Sequence, residues 1–324
     1  MNNIAICLSS DNNYVQHLAA AISSVLKHKN DQEYVCVYFI DGGISEENKE
    51  KLSFFTKNYA CKISYILPDM NKLKSCHTFK RDYISLATYY RLFIPELIPN
   101  EDRIIYMDCD VIAHASLHEL YNKEFNNNLV LGVIDVAVKP HSKRLNIEKY
   151  INAGVLLMNC QGMREENSVE KIVDWIANNQ AKIECHDQDI INAVFEGRIG
   201  YIEKEFNTQA ILDNEGMFKD VENPVLIHFI SPKKPWTFYK PMNYTKWAKE
   251  YFEALKGTPW EDFIEYHKRK IMWYLPLRLF YPTGNAKAIF EQIFSVRNSS
   301  DRKYKIIRIL GFKFQKKRVK QISE

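Results

Sequence analysis

Apolar residues in this chain fall into short runs, each closed by small polar or acidic residues. Residues 4–8 form the first run, and Ser-Ser-Asp-Asn-Asn after it is rich in turn and cap formers. Val15, Leu18, Ala19, Ile22, Val25 and Leu26 then recur at helical spacing. Residues 34–40 read as a second strand ended by Asp41-Gly42-Gly43, and Ser45 opens a helix to about residue 59. Residues 63–67 read as a third strand, stopped by Pro68. Residues 83–94 read as a helix, 104–107 as a strand, 129–134 and 153–158 as further strands, and 163–178 and 187–195 as helices. Residues 225–229 close the series as a strand. Residues 135–150 lack periodicity and are rich in Lys, His and Arg, so they read as a surface loop. This alternation predicts an α/β fold, a largely parallel sheet with helices on both faces.

From about Trp260 the pattern changes, and aromatic and basic residues interleave to the end. From His267 onward there are fifteen Lys/Arg against three acids, a net +12, and 29 basic and 37 acidic residues before it give −8. Residues 305–314 read as a small hairpin or strand. Basic heads on aromatic bodies suit a lipid headgroup layer, and an ordinary solvated basic extension or a nucleic-acid contact has the same composition. The −8 body argues against nucleic acid as the main ligand, since a positive stripe should dominate there. Seven widely spaced cysteines without a Cys-x-x-Cys pair favour a reducing compartment. The start lacks a basic n-region and a long apolar stretch, and no run reaches the length of a membrane span. A cytoplasmic protein, peripheral on the inner membrane face, is expected.

The strand at 104–107 ends in Asp108-Cys109-Asp110. Open α/β sheets bind ligands at the carboxyl edge of their strands. Two carboxylates delivered there suit a divalent ion, and such an ion can hold a diphosphate. Cys109 has no second soft ligand beside it and is not read as a thiolate site. Asp11-Asn12-Asn13 follows the first strand and reads either as a helix cap or as a hydrogen-bonding edge for a base or ribose. Gly154 marks a close backbone approach or a bulge. Asp187 and Asp189 sit in a first helical turn, where acids are favoured by the helix dipole in any case. His228 ends its strand, with Lys234 six residues on. It is either a structural histidine or a third ligand for a borderline ion such as Mn²⁺.

Together these segments resemble glycosyltransferase family 8, a family of retaining, metal-dependent enzymes with nucleotide-sugar donors. The likeness is nearest to its bacterial lipopolysaccharide and lipooligosaccharide galactosyl- and glucosyltransferases. The resemblance is carried by residues 10–14, by Ser85-Leu86-Ala87-Thr88-Tyr89-Tyr90-Arg91-Leu92, by Tyr106-Met107-Asp108-Cys109-Asp110, by Tyr150-Ile151-Asn152-Ala153-Gly154-Val155, by His186-Asp187-Gln188-Asp189, and by His228-Phe229 with Lys234-Pro235-Trp236. It implies a GT-A type fold, a UDP-hexose donor, a saccharide or glycolipid acceptor, and Mn²⁺ or Mg²⁺ held by Asp108, Asp110 and His228. Ser9, Asp11 and Asn13 match uridine-contacting positions. Arg91, Asn152, Ala153, Asp187 and Gln188 match positions around the donor sugar, which Asp108 also faces. Lys234 matches a diphosphate-binding lysine. Ser231 stands where the family has Gly, and with Cys109 it completes the candidate donor-binding set. Gln188 and Asp189 are the candidate catalytic residues, for same-face attack or double displacement respectively. The expected division is a catalytic domain over 1–258 and a basic, aromatic, partly helical membrane-associating extension over 259–324. A sugar-1-phosphate nucleotidyltransferase would want a Gly-rich basic loop after the first strand, which Ser-Ser-Asp-Asn-Asn lacks.

Overall fold

The computed structural model describes residues 2–68, 86–210, 217–230, 234–236 and 247–266, and the strands at 294–298, 304–309 and 312–317. The chain divides into two compact units, one of residues 1–235 and 244–261, the other of 236–243 and 262–324.

The first unit is built on β1 (Asn2–Ser10), β2 (Glu33–Asp41), β3 (Cys61–Ile66), β4 (Arg103–Met107), β5 (Val111–Ala113), β6 (Val130–Ile134), β7 (Ile151–Asn159), β8 (Ile199–Tyr201), β9 (Thr208–Gln209) and β10 (Leu226–His228). Seven of these form one sheet in the order β3-β2-β1-β4-β7-β6-β8. Its pairings are parallel except where β7 runs antiparallel to β4 and β6. A mostly parallel sheet buried on both faces needs apolar residues at both parities. On β1, Ile4, Ile6 and Leu8 face one core with Leu18, Ile22 and Val25 of the helix Val15–His28. Ala5 and Cys7 face the other core, with Tyr89, Leu92, Met163 and Ile172. A small second sheet, β5-β10-β9, lies at the carboxyl edge of β4, because β5 leaves directly after Asp110. The expected mostly parallel α/β architecture is observed.

Four details depart from the sequence reading. Residues 138–145 form a helix (Val138–Leu145), where residues 135–150 are expected to be a surface loop. That helix buries no residue, so it has no apolar stripe to reveal it. Its end is set by Asn146 in the left-handed region (φ 58°), with Asn146 N–H donating to Lys143 O and Ile147 N–H to Ser142 O. The expected helix at 163–178 is two helices, Cys160–Glu165 and Ser168–Asn179, parted at Asn167 with φ 52°. Asn tolerates that conformation, so a continuous apolar periodicity conceals the break. The helix expected from residue 83 is described from Leu86, where it winds as a 3-10 helix to Phe93; Tyr83–Ser85 lie outside the described residues. The short strands β5, β8 and β9 have two or three residues each, too few for a period to show.

In the second unit, β11 (Phe294–Asn298), β12 (Tyr304–Ile309) and β13 (Phe312–Lys317) form an antiparallel sheet. The hairpin reading of residues 305–314 is borne out. The helical character expected of the extension gives way to strands here, because apolar residues alternate at period two.

Candidate active site

β4 ends at Met107, and the chain turns at once, with Val111 N–H donating to Asp108 O at 3.1 Å. The turn swings both carboxylates to the same side. β10 pairs with β5 in antiparallel register, setting His228 opposite Val111. A backbone bond from Phe229 N–H to Asp110 O (3.0 Å) locks that approach. Asp108, Asp110 and His228 therefore converge, with candidate ligand atoms all within 4.8 Å of one another. His228 Nε2 is 3.3 Å from Asp110 Oδ1 and 3.9 Å from Asp108 Oδ2.

Gly154 permits this convergence. A Cβ there would stand 2.1 Å from His228 Cε1 and 2.8 Å from Asp108 Oδ2. The register between β6 and β7 slips between Gly132 and Ile134, so β7 bulges where Asn152, Ala153 and Gly154 meet the cleft. Gly154 O accepts from Asp108 N–H at 2.8 Å.

The donor set fits a hard-to-borderline divalent ion. Asp110 Oδ1 is buried and makes no hydrogen bond, the kind of orphaned atom that a cation satisfies. Burial opposes ionisation of Asp110, but the positive charge of Lys234 outweighs it and holds the carboxyl well below its usual range. Lys234 Nζ bridges Asp110 Oδ2 and the Phe229 carbonyl.

Arg91 is buried, and its charge is balanced on two sides. It donates to Asp108 Oδ1 (2.8 Å) and to the Ala153 carbonyl (2.6 Å), and pairs with Asp187 Oδ2 at 2.9 Å. Its guanidinium lies 4.3 Å from the centre of the Tyr106 ring, whose hydroxyl also donates to Asp108 Oδ1. Thr88 Oγ1 donates to Asp187 Oδ1. Burial pushes the Asp187 carboxyl up, against the pull of Arg91 and Thr88.

Gln188 is clamped, with Oε1 accepting from Ala153 N–H (2.9 Å) and Nε2 donating to Asp135 Oδ2 (3.2 Å). These residues border a cleft of about 460 Å³ that also takes in Asn152, His228, His141 and Cys185. Asp189 is 0% exposed and is not among the residues that line it. Its Oδ1 takes Arg144 and Tyr150, and its Oδ2 takes the N–H groups of Glu184 and Cys185.

At the carboxyl end of β1, Asp11 caps the short turn Asn12–Tyr14, its Oδ1 accepting from Asn13 N–H and Tyr14 N–H. The Cys109 thiol donates to the Ser9 carbonyl at 3.1 Å and packs in the core, and burial pushes it well above the ordinary thiol range. Ser231 lies outside the described residues. Sequence reasoning quoted Thr88 and Tyr106 within motifs but gave them no role, and it missed Asp135 and Asn207 as site residues. Asp135 carries the signal that exposed Asp108, an acid directly after an apolar strand. Asn207 sits in an unpatterned polar stretch and carries no signal.

The model for glycosyl transferase family 8 matches residues 5–239. General stress protein A of Bacillus subtilis is 28% identical over 266 residues, spanning 74% of this chain and 92% of that protein. The lipopolysaccharide 1,3-galactosyltransferase of Salmonella typhimurium is 27% identical over 272 residues, spanning 79% of this chain and 78% of that protein. The crystal structure of galactosyltransferase LgtC in complex with donor and acceptor sugar analogs is similar in fold, with a TM-score of 0.69 at 25% identity, covering 80% of this chain and 100% of LgtC.

Proposed function

The chain belongs to glycosyltransferase family 8, and from that premise we propose that it is a metal-dependent, retaining hexosyltransferase moving galactose or glucose from a UDP-sugar to a saccharide acceptor. The observation that carries the reading is the convergence of Asp108, Asp110 and His228 beside Lys234, with the buried Asp110 Oδ1 lacking a hydrogen bond. The name of the Salmonella relative supports a lipopolysaccharide or other surface glycan as acceptor.

Asp108, Asp110 and His228 would hold Mn²⁺ or Mg²⁺, which would supply Lewis-acid stabilisation of a diphosphate leaving group. Ser9, Asp11 and Asn13, at the carboxyl end of β1, offer short polar groups to uridine. Lys234 lies on Asp110 and neutralises diphosphate charge from the same side. Asp187, held by Arg91 and Thr88, accepts hydrogen bonds from donor-sugar hydroxyls, and Asn152 and Ala153 form the adjoining wall. The Cys109 thiol packs in the core behind the acids, on the Ser9 carbonyl. Gln188 is an amide and a poor nucleophile, so it orients the sugar and stabilises developing positive charge. Asp189 has both oxygens engaged, so it holds the start of the helix His186–Val194 and positions Gln188. Retention then follows from same-face attack, with the departing phosphate oxygen taking the acceptor proton.

The extension is read as a contact with the cytoplasmic face of a membrane. The sheet register supports this. Phe294, Val296, Ile307, Ile309, Phe312 and Phe314 occupy positions on one face together with Lys305 and Lys316, and Arg297, Arg308, Lys313 and Lys317 on the other together with Tyr304 and Ile306, so basic and apolar or aromatic positions mix on both faces. Among the described residues no helix is long and apolar enough to cross a membrane.

Incubation with a panel of UDP-sugars, with and without Mn²⁺, tests the function. Metal-dependent UDP release with one hexose donor, and product of unchanged anomeric configuration, is expected. Release that ignores metal, or an inverted product, would contradict it.

A further inference from the structure

Asn207 ends the turn Lys204–Asn207 just before β9, and β9 runs parallel to β10 with Gln209 opposite His228. It is 0% exposed. Its Oδ1 stands 3.1 Å from His228 Nδ1, and its Nδ2 donates to Asn152 Oδ1 at 3.0 Å. The polarity of this chain of amides is fixed at its far end. Asn152 Oδ1 also accepts from Gly154 N–H at 3.0 Å, and a backbone N–H can only donate. Asn152 Nδ2 in turn donates to Asp135 Oδ2 at 2.9 Å, so the Asn152 amide has one permitted orientation. Asn207 must therefore present its NH₂ to Asn152 and its oxygen to His228. An oxygen facing Nδ1 requires the proton there, which in the neutral ring leaves the lone pair on Nε2, the nitrogen 3.3 Å from Asp110 Oδ1.

We infer that Asn207 is a positioning residue that fixes the tautomer and ring orientation of His228, through a hydrogen-bond relay anchored on the Gly154 backbone, so that Nε2 is presented to a divalent cation. The inference rests on the metal reading above only for the identity of what Nε2 binds. The same relay reaches Gln188, whose Nε2 shares Asp135 Oδ2 with Asn152. One backbone N–H thus sets the polarity of the metal ligand and braces the residue facing the donor sugar.

The test uses the full chain without donor. Nitrogen-15 NMR of labelled histidine at about pH 8, above the ordinary imidazole range, reads the tautomer of His228 directly. Wild type is expected to carry the proton on Nδ1, and a neutral ring protonated on Nε2 alone overturns the inference whether or not metal binds. In Asn207→Leu the Nδ1 preference is lost, and Mn²⁺ affinity falls about 10- to 100-fold, the usual cost of removing such a partner. Asn207→Asp keeps the acceptor for Nδ1–H but loses the donor to Asn152 Oδ1, so it restores the Nδ1 proton and only part of that affinity. Equal losses in both variants would reduce Asn207 to packing, and wild-type Mn²⁺ affinity in Asn207→Leu would remove its role. Wild type carrying the Nδ1 proton yet binding no Mn²⁺ would instead overturn the metal reading, and with it the purpose assigned to the relay.

Discussion

Asp110 stays ionised in a buried position because Lys234 stands against it. Asp110→Ala is expected to lower transfer by on the order of 1,000-fold, matching the several kcal/mol a bound ion supplies, with the circular dichroism spectrum unchanged. Collapse of that spectrum would mark the acid as structural. Gln188→Ala is expected to lower kcat about 100-fold with little change in donor affinity; equal losses in both would reduce it to a binding residue. The Asp108–Asp110 pair was legible because an apolar strand ran straight into it, and Lys234 because it followed a strand-end His. Asn207 and Thr88 were not legible. Their importance comes from contacts 21 and 99 residues away in sequence, and neither disturbs a local pattern. Asp189 shows the converse. A first-turn acid has the look of a catalytic carboxylate, and its four hydrogen-bond partners appear only in three dimensions.

The bulge in β7 does for the site what no single side chain does, since it brings Gly154 under His228 and Asp108. Gly154→Ala places a methyl group where the ring and carboxylate lie. Mn²⁺ binding is expected to be lost at a stability cost of about 1–3 kcal/mol, the range for overpacking, and unaltered Mn²⁺ binding would contradict the stated crowding. The helix Val15–His28 and the helix Ala248–Leu255 are joined by His17, whose Nδ1 lies 2.6 Å from the Tyr251 hydroxyl. Burial lowers the His17 pKa to about 3. The unfolded chain therefore takes up a proton near pH 6.5 that the folded chain refuses, and stability falls as pH drops from about 6.5 towards 3, by at most about 1.4 kcal/mol per unit from this group. Thermal melts of His17→Leu should show a shallower loss over that window than wild type; an identical slope would assign the acid sensitivity elsewhere. Long elements with a clear period were legible, and the polar helix Val138–Leu145 was not, because it buries no apolar residue and meets the fold through Arg144 and His141.

Over the whole molecule, charge and fold divide in parallel: a −8 body carries the cleft, and a +12 extension carries the antiparallel strands β11, β12 and β13. The full chain is expected to co-sediment with anionic lipid vesicles at low salt, to ignore neutral ones, and to be released as salt screens the lysines and arginines. Equal binding to neutral vesicles would point to a purely apolar contact. Everything proposed for catalysis depends on three side chains from distant parts of the chain sharing one cation. Crystals of the full chain grown with UDP and Mn²⁺, measured for manganese anomalous scattering, test this most directly. The account predicts one strong peak within about 2.0–2.3 Å of carboxylate oxygens of Asp108 and Asp110 and of His228 Nε2. A peak elsewhere, or UDP bound with no peak between those residues, would contradict it.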